Sequence, residues 1–209
     1  MVKQKVAWVH IVYLFIAVIV FIWSAIKPVD FFDWMLEVSP AVIGIIVAIA
    51  SYRKFRLTTL SYTIIFILVI LIFIGGHYTY SRVPLFDWLK DQFDFQRNHY
   101  DRFGHFFKGM FVIVFREILL RMTPLTKGKW LFIISISFSI TTSAIYEIGE
   151  WIFTKIAHGG KTAKNFLGTQ GDIWDAQWDM MLNLIGALIA YVLLSKLHDR
   201  LLKRHRGDQ

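Results

Sequence analysis

Gly168-Thr169-Gln170-Gly171-Asp172-Ile173-Trp174-Asp175-Ala176-Gln177-Trp178-Asp179-Met180-Met181-Leu182-Asn183 decides how this chain folds. It begins as a loop and runs directly into Met180–Ser195, sixteen residues without a charge. On a helix, Asp172, Asp175 and Asp179 fall at i, i+3 and i+7, and Asn183 follows one turn on, so all four line one face. A carboxylate stripe leading into an apolar helix is costly in lipid unless it faces partners, water or a cation.

The rest of the chain has the same character. Of its 209 residues, 56% are hydrophobic and 17% aromatic, and the mean hydropathy is +0.52. Apolar residues gathered in long runs make the bilayer the solvent. Six spans of about 20 residues each would use more than half of the chain and leave no room for a soluble domain. The expected fold is an all-α integral membrane protein, one membrane domain built as a bundle of six transmembrane helices. Its spans are read at about 6–26, 34–52, 57–78, 103–120, 130–156 and 173–197. The first, preceded by Lys3 and Lys5, is longer than a signal-peptide core, lacks an A-x-A site and is read as an uncleaved span.

Asp30, Asp33 and Glu37 populate the connector after span one, and Pro40 and Gly44 permit a kink or close approach in span two. The aromatic loop 81–102 is expected to include an interfacial helix. Span four carries His105, Lys108, Arg116 and Glu117, and so belongs inside the bundle. Arg116 is expected to snorkel, His10 to bond a nearby backbone group, and His198 and His205 to face water or headgroups.

Cysteine is absent, which excludes disulfides, thiolate metal sites and a Cys nucleophile. The net charge is +8, but the basic residues collect beside the apolar runs. The positive-inside rule and anionic headgroups account for them, so membrane lipids are the expected partners and nucleic acid is not. Most Lys and Arg fall on the side of the termini, which places both ends in the cytoplasm.

With that topology, polar residues from distant stretches meet at the outer leaflet. They are His77; Asp101, Arg102, His105 and Lys108; Glu147 and Glu150; and Asp172, Asp175 and Asp179. Imidazole mixed with hard oxygen donors suits a divalent cation, which would activate water or polarise a phosphoryl oxygen. The expected metal ligands are Asp101, Asp172, Asp175 and Asp179. His77, His105, Glu147 and Glu150 are the expected catalytic acid/base groups. Arg82, Arg102, Gln170 and Asn183 would contact an anionic substrate. A purely structural network is the plain alternative, with Lys108, Arg102 and Arg82 neutralising the carboxylates. A proton-coupled carrier is another, although spans one to three offer few polar residues for a path across the membrane.

Four blocks carry a resemblance: Gly76-His77-Tyr78-Thr79-Tyr80, Arg97-Asn98-His99-Tyr100-Asp101-Arg102-Phe103-Gly104-His105-Phe106, Tyr146-Glu147-Ile148-Gly149-Glu150-Trp151 and Gly168-Thr169-Gln170-Gly171-Asp172-Ile173-Trp174-Asp175. In this order they resemble the YjdF-like bacterial membrane proteins, a family of multi-pass inner-membrane proteins without an assigned function. The stretch Asp175–Asn183 with Ile185-Gly186-Ala187 also resembles, distantly, the last helix of VanZ-type proteins, which are linked to glycopeptide tolerance. That likeness implies lipid or glycan processing at the envelope.

Overall fold

In hydrocarbon each backbone N–H and C=O must find its partner within the protein, and a helix does this without help from neighbours. The computed structural model describes residues 7–156 and 169–207, with side chains to 204, and its regular structure there is entirely helical. The helices are α1 (Trp8–Ala25), α2 (Phe31–Ser51), α3 (Thr59–His77), α4 (Pro84–Gln92), α5 (Tyr100–Lys108), α6 (Val112–Met122), α7 (Lys129–Ile156) and α8 (Asp175–Gly207). Five of them, α1, α2, α3, α7 and α8, are long and apolar enough to cross a membrane.

The sixth expected span is a composite. α5 passes through a single 3-10 turn, Gly109–Phe111, into α6, and the unit packs against α3, α7 and α8. Most expected boundaries shift by a few residues, and α8 runs on well past the expected end at 197, to Gly207. α2 starts earlier, at Phe31, because Asp30 caps it by accepting from the Phe32 and Asp33 N–H groups. Thr58 caps α3 in the same way, accepting from Ser61 N–H. α4 is the helix expected in the aromatic loop.

Two helices organise the packing. α3 holds α1 and α2 through Ala17, Trp34, Val38, Ala41, Val69 and Phe73. α8 holds α5, α6 and α7, with Val112, Ile113, Val114, Ile136, Ala187 and Ala190 in a core shared with α3. The outward faces of α1, α2 and α8 present Phe15, Ile19, Ile43, Ile46, Val192 and Leu193, as a lipid-facing surface should.

At the break between α5 and α6 the chain passes α8 at backbone contact. A Cβ on Gly186 would overlap the Phe106 carbonyl, and one on Gly109 would overlap the backbone of Asn183 and Ala187. Glycine at both positions lets the two backbones touch, the usual route to tight helix crossing in a membrane. Gly186→Ala should therefore destabilise the protein by roughly 1–3 kcal/mol, the usual cost of overpacking. Gly44→Ala, whose Cβ meets nothing within 4 Å, should be neutral or stabilising. Thermal unfolding of the two variants in detergent measures the difference.

Candidate functional site

The polar side chains sort to the two ends of the bundle. At one end α5 places Asp101, His105 and Lys108 on one face, and α8 brings Asp179 to them. Asp101, His105 and Asp179 each offer a ligand atom, and these atoms lie within 4.8 Å of one another. His105 Nε2 is 2.9 Å from Lys108 Nζ, 3.5 Å from Glu147 Oε1 and 3.7 Å from Asp101 Oδ1. His105 is 1% exposed, and among the described residues its Nδ1, Glu147 Oε1 and Asp179 Oδ1 have no hydrogen-bond partner.

The chamber is wider than the sequence suggested. Lys108 Nζ lies 4.2 Å from the centre of the Tyr146 ring, a cation–π contact, and the Tyr146 hydroxyl donates to Glu37 at 2.8 Å. Asp33 and Glu37 are therefore not connector residues. They are buried inside α2, four apart on one face, and both Asp33 carboxylate oxygens lack partners. Glu150 lies within electrostatic reach of Glu147, Glu37 and Asp101. Tyr80, 4% exposed, closes the wall, with its ring 5.8 Å from Lys108 Nζ and its hydroxyl unpartnered. The missed signal was the Asp33/Glu37 spacing at the head of an apolar helix, which is as costly in lipid as the aspartate stripe of α8.

The other expected ligands are already engaged. Asp175 pairs with Arg97 and lies 3.6 Å from Arg102, while Asp172 pairs with Arg102. Asp172 and Asp175 therefore stand apart from the Asp101–His105–Asp179 group because arginines satisfy them. Gln170 binds Asn98 twice, accepting from its N–H and donating to its carbonyl, both at 2.9 Å. Asn98 in turn donates to the Val83 carbonyl and Asp87. Residues 97–102 and 169–175 thus form a clasp over the chamber, with the Arg102 guanidinium 5.3 Å from the Trp178 ring.

Arg82 is exposed, and His77 turns away: its Nδ1 is 2.9 Å from the Ser24 carbonyl oxygen and its ring packs on Trp23. Asn183 lies below the triad. With its amide oriented to satisfy all its partners, its oxygen accepts from Gly109 N–H at 3.2 Å and its nitrogen donates to Ser139 Oγ at 3.0 Å.

The opposite end holds a second buried network, which overturns two expectations. Glu117 accepts from Thr58 N–H, the Thr58 and Ser61 hydroxyls, and Arg121. Arg116 does not snorkel. It is buried and donates to His198 Nδ1 at 2.6 Å and to Asp199 at 2.8 Å. His198 is fully buried, with Nδ1 accepting from Arg116, so its Nε2–H points at Glu117, 3.3 Å away. The i, i+1 pairs Arg116-Glu117 and His198-Asp199 were the available signal. Ionisable residues on apolar helices find each other because lipid gives them no other partner. His10 bonds the side chains of Tyr52 (2.7 Å) and Thr59 (3.2 Å) where a backbone partner was expected. The His205 side chain lies outside the described residues.

Outside the spans, charge sets two titrations. Burial and the Arg102 and Arg97 charges hold His99 below the ordinary imidazole value, so it is neutral at pH 7. The Trp174 N–H and the Arg102 guanidinium hold Asp172 below its ordinary value of 3.8, against a smaller cost of burial. A lowered folded value means that the Asp172–Arg102 link contributes fully above pH 3.8 and is lost as pH falls through that lowered value. Hydrogen exchange at residues 98–102 should be slow and pH-independent, after correction for intrinsic rates, from pH 5 to 7, and faster only below about pH 4. Asp172→Asn should show the faster rate throughout.

Comparison with known proteins agrees with this architecture. Residues 9–200 match the family model described as "Predicted membrane protein (DUF2238)". The chain is 38% identical over 187 residues to the inner membrane protein YjdF of Escherichia coli (strain K12), covering 89% of this chain and 88% of that one. No solved structure matches. The chain is thus a member of the DUF2238 family of membrane proteins.

Proposed function

We propose that this protein sits in the bacterial inner membrane with both termini in the cytoplasm and that its chamber opens toward the outer leaflet. There it binds a divalent cation and uses it on a phosphate-bearing, lipid-linked headgroup. The observation that carries this reading is the convergence of Asp101, His105 and Asp179, from two helices distant in sequence, to within 4.8 Å. One imidazole and two carboxylates leave coordination positions open, the arrangement of a working cation rather than a structural one. Zn²⁺ and Mn²⁺ suit that donor set.

Glu147 and Glu150 are placed to exchange protons with water or substrate beside such a cation. Asn183 supports the chamber floor. Arg82, on the rim, and Arg102, once released from Asp172, would meet the anionic headgroup, and Gln170 holds the clasp they work in. His77 takes no part in this reading, because its ring is committed to Trp23 and Ser24. The basic residues beside the spans and the inner-membrane location of the similar YjdF support the placement in the membrane.

Lys108 tunes the site. Its ammonium lies against His105 Nε2 and repels any second cation there, so the ion enters as Lys108 swings away from His105. Titrating the purified full chain with Mn²⁺ and Zn²⁺ tests the reading. Asp179→Asn and His105→Ala should each weaken binding at least about tenfold, because even groups that only orient a metal ligand are worth that much. Lys108→Met should bind more tightly than wild type. Affinities unchanged in all three variants would contradict the reading.

A further inference from the structure

Asp33 and Glu37 stand outside the Asp101–His105–Asp179 group. Asp33 lies in the first turn of α2, where a carboxylate ordinarily turns back onto the free N–H groups of the helix start. Asp30 already fills that role, accepting from the Phe32 and Asp33 N–H groups. Asp33 is instead completely buried, and among the described residues neither of its oxygens has a hydrogen-bond partner. Glu37, one turn on and on the same face, is also buried and accepts from the Tyr146 hydroxyl at 2.8 Å.

Tyr80 reaches the same corner from the turn after α3. Thr79 and Tyr80 both adopt the left-handed backbone, with φ of 54° and 52°, and the Tyr80 N–H donates to the Gly75 carbonyl at 2.8 Å. The ring thereby folds back onto Gly75, where a Cβ would come within 2.6 Å of it. On Gly76 a Cβ would meet Val38 at 3.0 Å and Glu37 Cβ at 3.4 Å, so the glycine pair seats both Tyr80 and α2. The Tyr80 hydroxyl lies within electrostatic reach of Glu37 and Glu150, yet among the described residues it has no hydrogen-bond partner. A buried phenol and a buried carboxylate, both unbonded, are destabilising until a further group completes the set.

That group must bring positive charge and N–H donors. Lys108 is held against His105 Nε2 at 2.9 Å, and among the described residues Asp33 and Glu37 form no ion pair. A second metal ion does not match the geometry: among the described residues the ligand atoms that converge within 4.8 Å are those of Asp101, His105 and Asp179. Asp33 and Glu37 are separated by a helical turn, about 6 Å of rise, with two tyrosines beside them. Spaced acceptors and aromatic rings suit an alkylammonium, which donates three hydrogen bonds in different directions. We propose that the Asp33–Glu37–Tyr80 corner binds the primary ammonium of the headgroup, so that the substrate class is an amino-alcohol phospholipid. The inference rests on the headgroup reading above and extends it. Tyr146 links the two subsites, its ring 6.0 Å from that of His105 and its hydroxyl on Glu37. The phosphate of a short amino-alcohol ester lies toward His105, and its amine, one tyrosine side chain away, donates to Glu37, Asp33 and the Tyr80 oxygen.

Native mass spectrometry of the full chain in detergent tests this, with EDTA and equal amounts of ethanolamine and choline phospholipids of matched acyl chains. Choline carries the same charge but has no N–H to donate. Wild type should hold the ethanolamine lipid about tenfold over the choline lipid, the worth of one hydrogen bond to a charged group. Asp33→Asn with Glu37→Gln should bring that ratio to about one, and Tyr80→Phe, which loses only the hydroxyl, should lower it severalfold. Equal occupancy of the two lipids in wild type overturns the proposal, and so does an undiminished preference in the double variant. Should the double variant fail to fold, Tyr80→Phe decides alone, and a preference unchanged there overturns the proposal. Displacement of the ethanolamine lipid by an equal concentration of soluble ethanolamine phosphate overturns the assignment to a lipid. Because EDTA removes divalent cations, the amine is read apart from the cation site. Headgroup selection by a protein that fails to bind Mn²⁺ would end the cation reading and support this one, and Mn²⁺ binding without selection would do the reverse.

Discussion

Burial of several carboxylates around a single ammonium is the constraint on which this structure turns. Glu37, Asp101, Glu147, Glu150 and Asp179 gather about Lys108 and His105 at one end of the bundle, with Asp33 beside Glu37, while the nearby Arg97 and Arg102 are paired with Asp175 and Asp172. In a medium of low dielectric, like charges so close cannot all stay ionised without counter-ions. The chamber must hold protons, a cation, or both. A bundle that needed only glue would not place Asp33 with both oxygens unbonded or leave His105 Nδ1 without a partner.

The contrast between the two ends makes the point. Around Glu117 each oxygen is satisfied: two hydroxyls, one backbone N–H, Arg121 and His198 converge on it, and Asp199 receives Arg116 and Lys127. That end reads as a closed network that ties the start of α3 to α6 and the far end of α8. The chamber end instead has unspent donors and acceptors under a clasp in which Arg97, Asp175 and Asn98 are buried and the Arg102–Asp172 pair is half-buried. That half-buried pair is the link water reaches, and so the part of the clasp that opens at lower free energy than the core.

Much of this was legible in the residues. Long apolar runs gave the helical membrane fold, and the aspartate stripe, the Asp101/His105/Lys108 face and the Glu147/Glu150 pair marked one end of the bundle. Spacing alone did not separate Asp179, which meets His105, from Asp172 and Asp175, which meet arginines. On the helix expected from the sequence all three share a face, but α8 begins at Asp175, which leaves Asp172 in the loop before it, and the difference arises from which loop folds over which turn. Asp33 and Glu37 read as connector because three acidic residues follow Lys27-Pro28 closely, and only the packing of α2 on α3 buries them. Ser135 and Ser143 on α7 did not stand out, because serine on an apolar helix ordinarily satisfies itself. That their hydroxyls have no hydrogen-bond partner among the described residues is a property of the packed structure.

The central claim is that α5 and α8 bring His105 and Asp179 together in a chamber closed to water. Since the chain has no cysteine of its own, His105→Cys combined with Asp179→Cys supplies the only two thiols for the measurement. Mild oxidation in the membrane, followed by counting of thiols that react with maleimide in detergent, reads their proximity. The account predicts that both thiols disappear together on oxidation, that each single variant keeps its own, and that a membrane-impermeant maleimide reaches neither before oxidation. Two thiols that survive oxidation and label freely from water would contradict it.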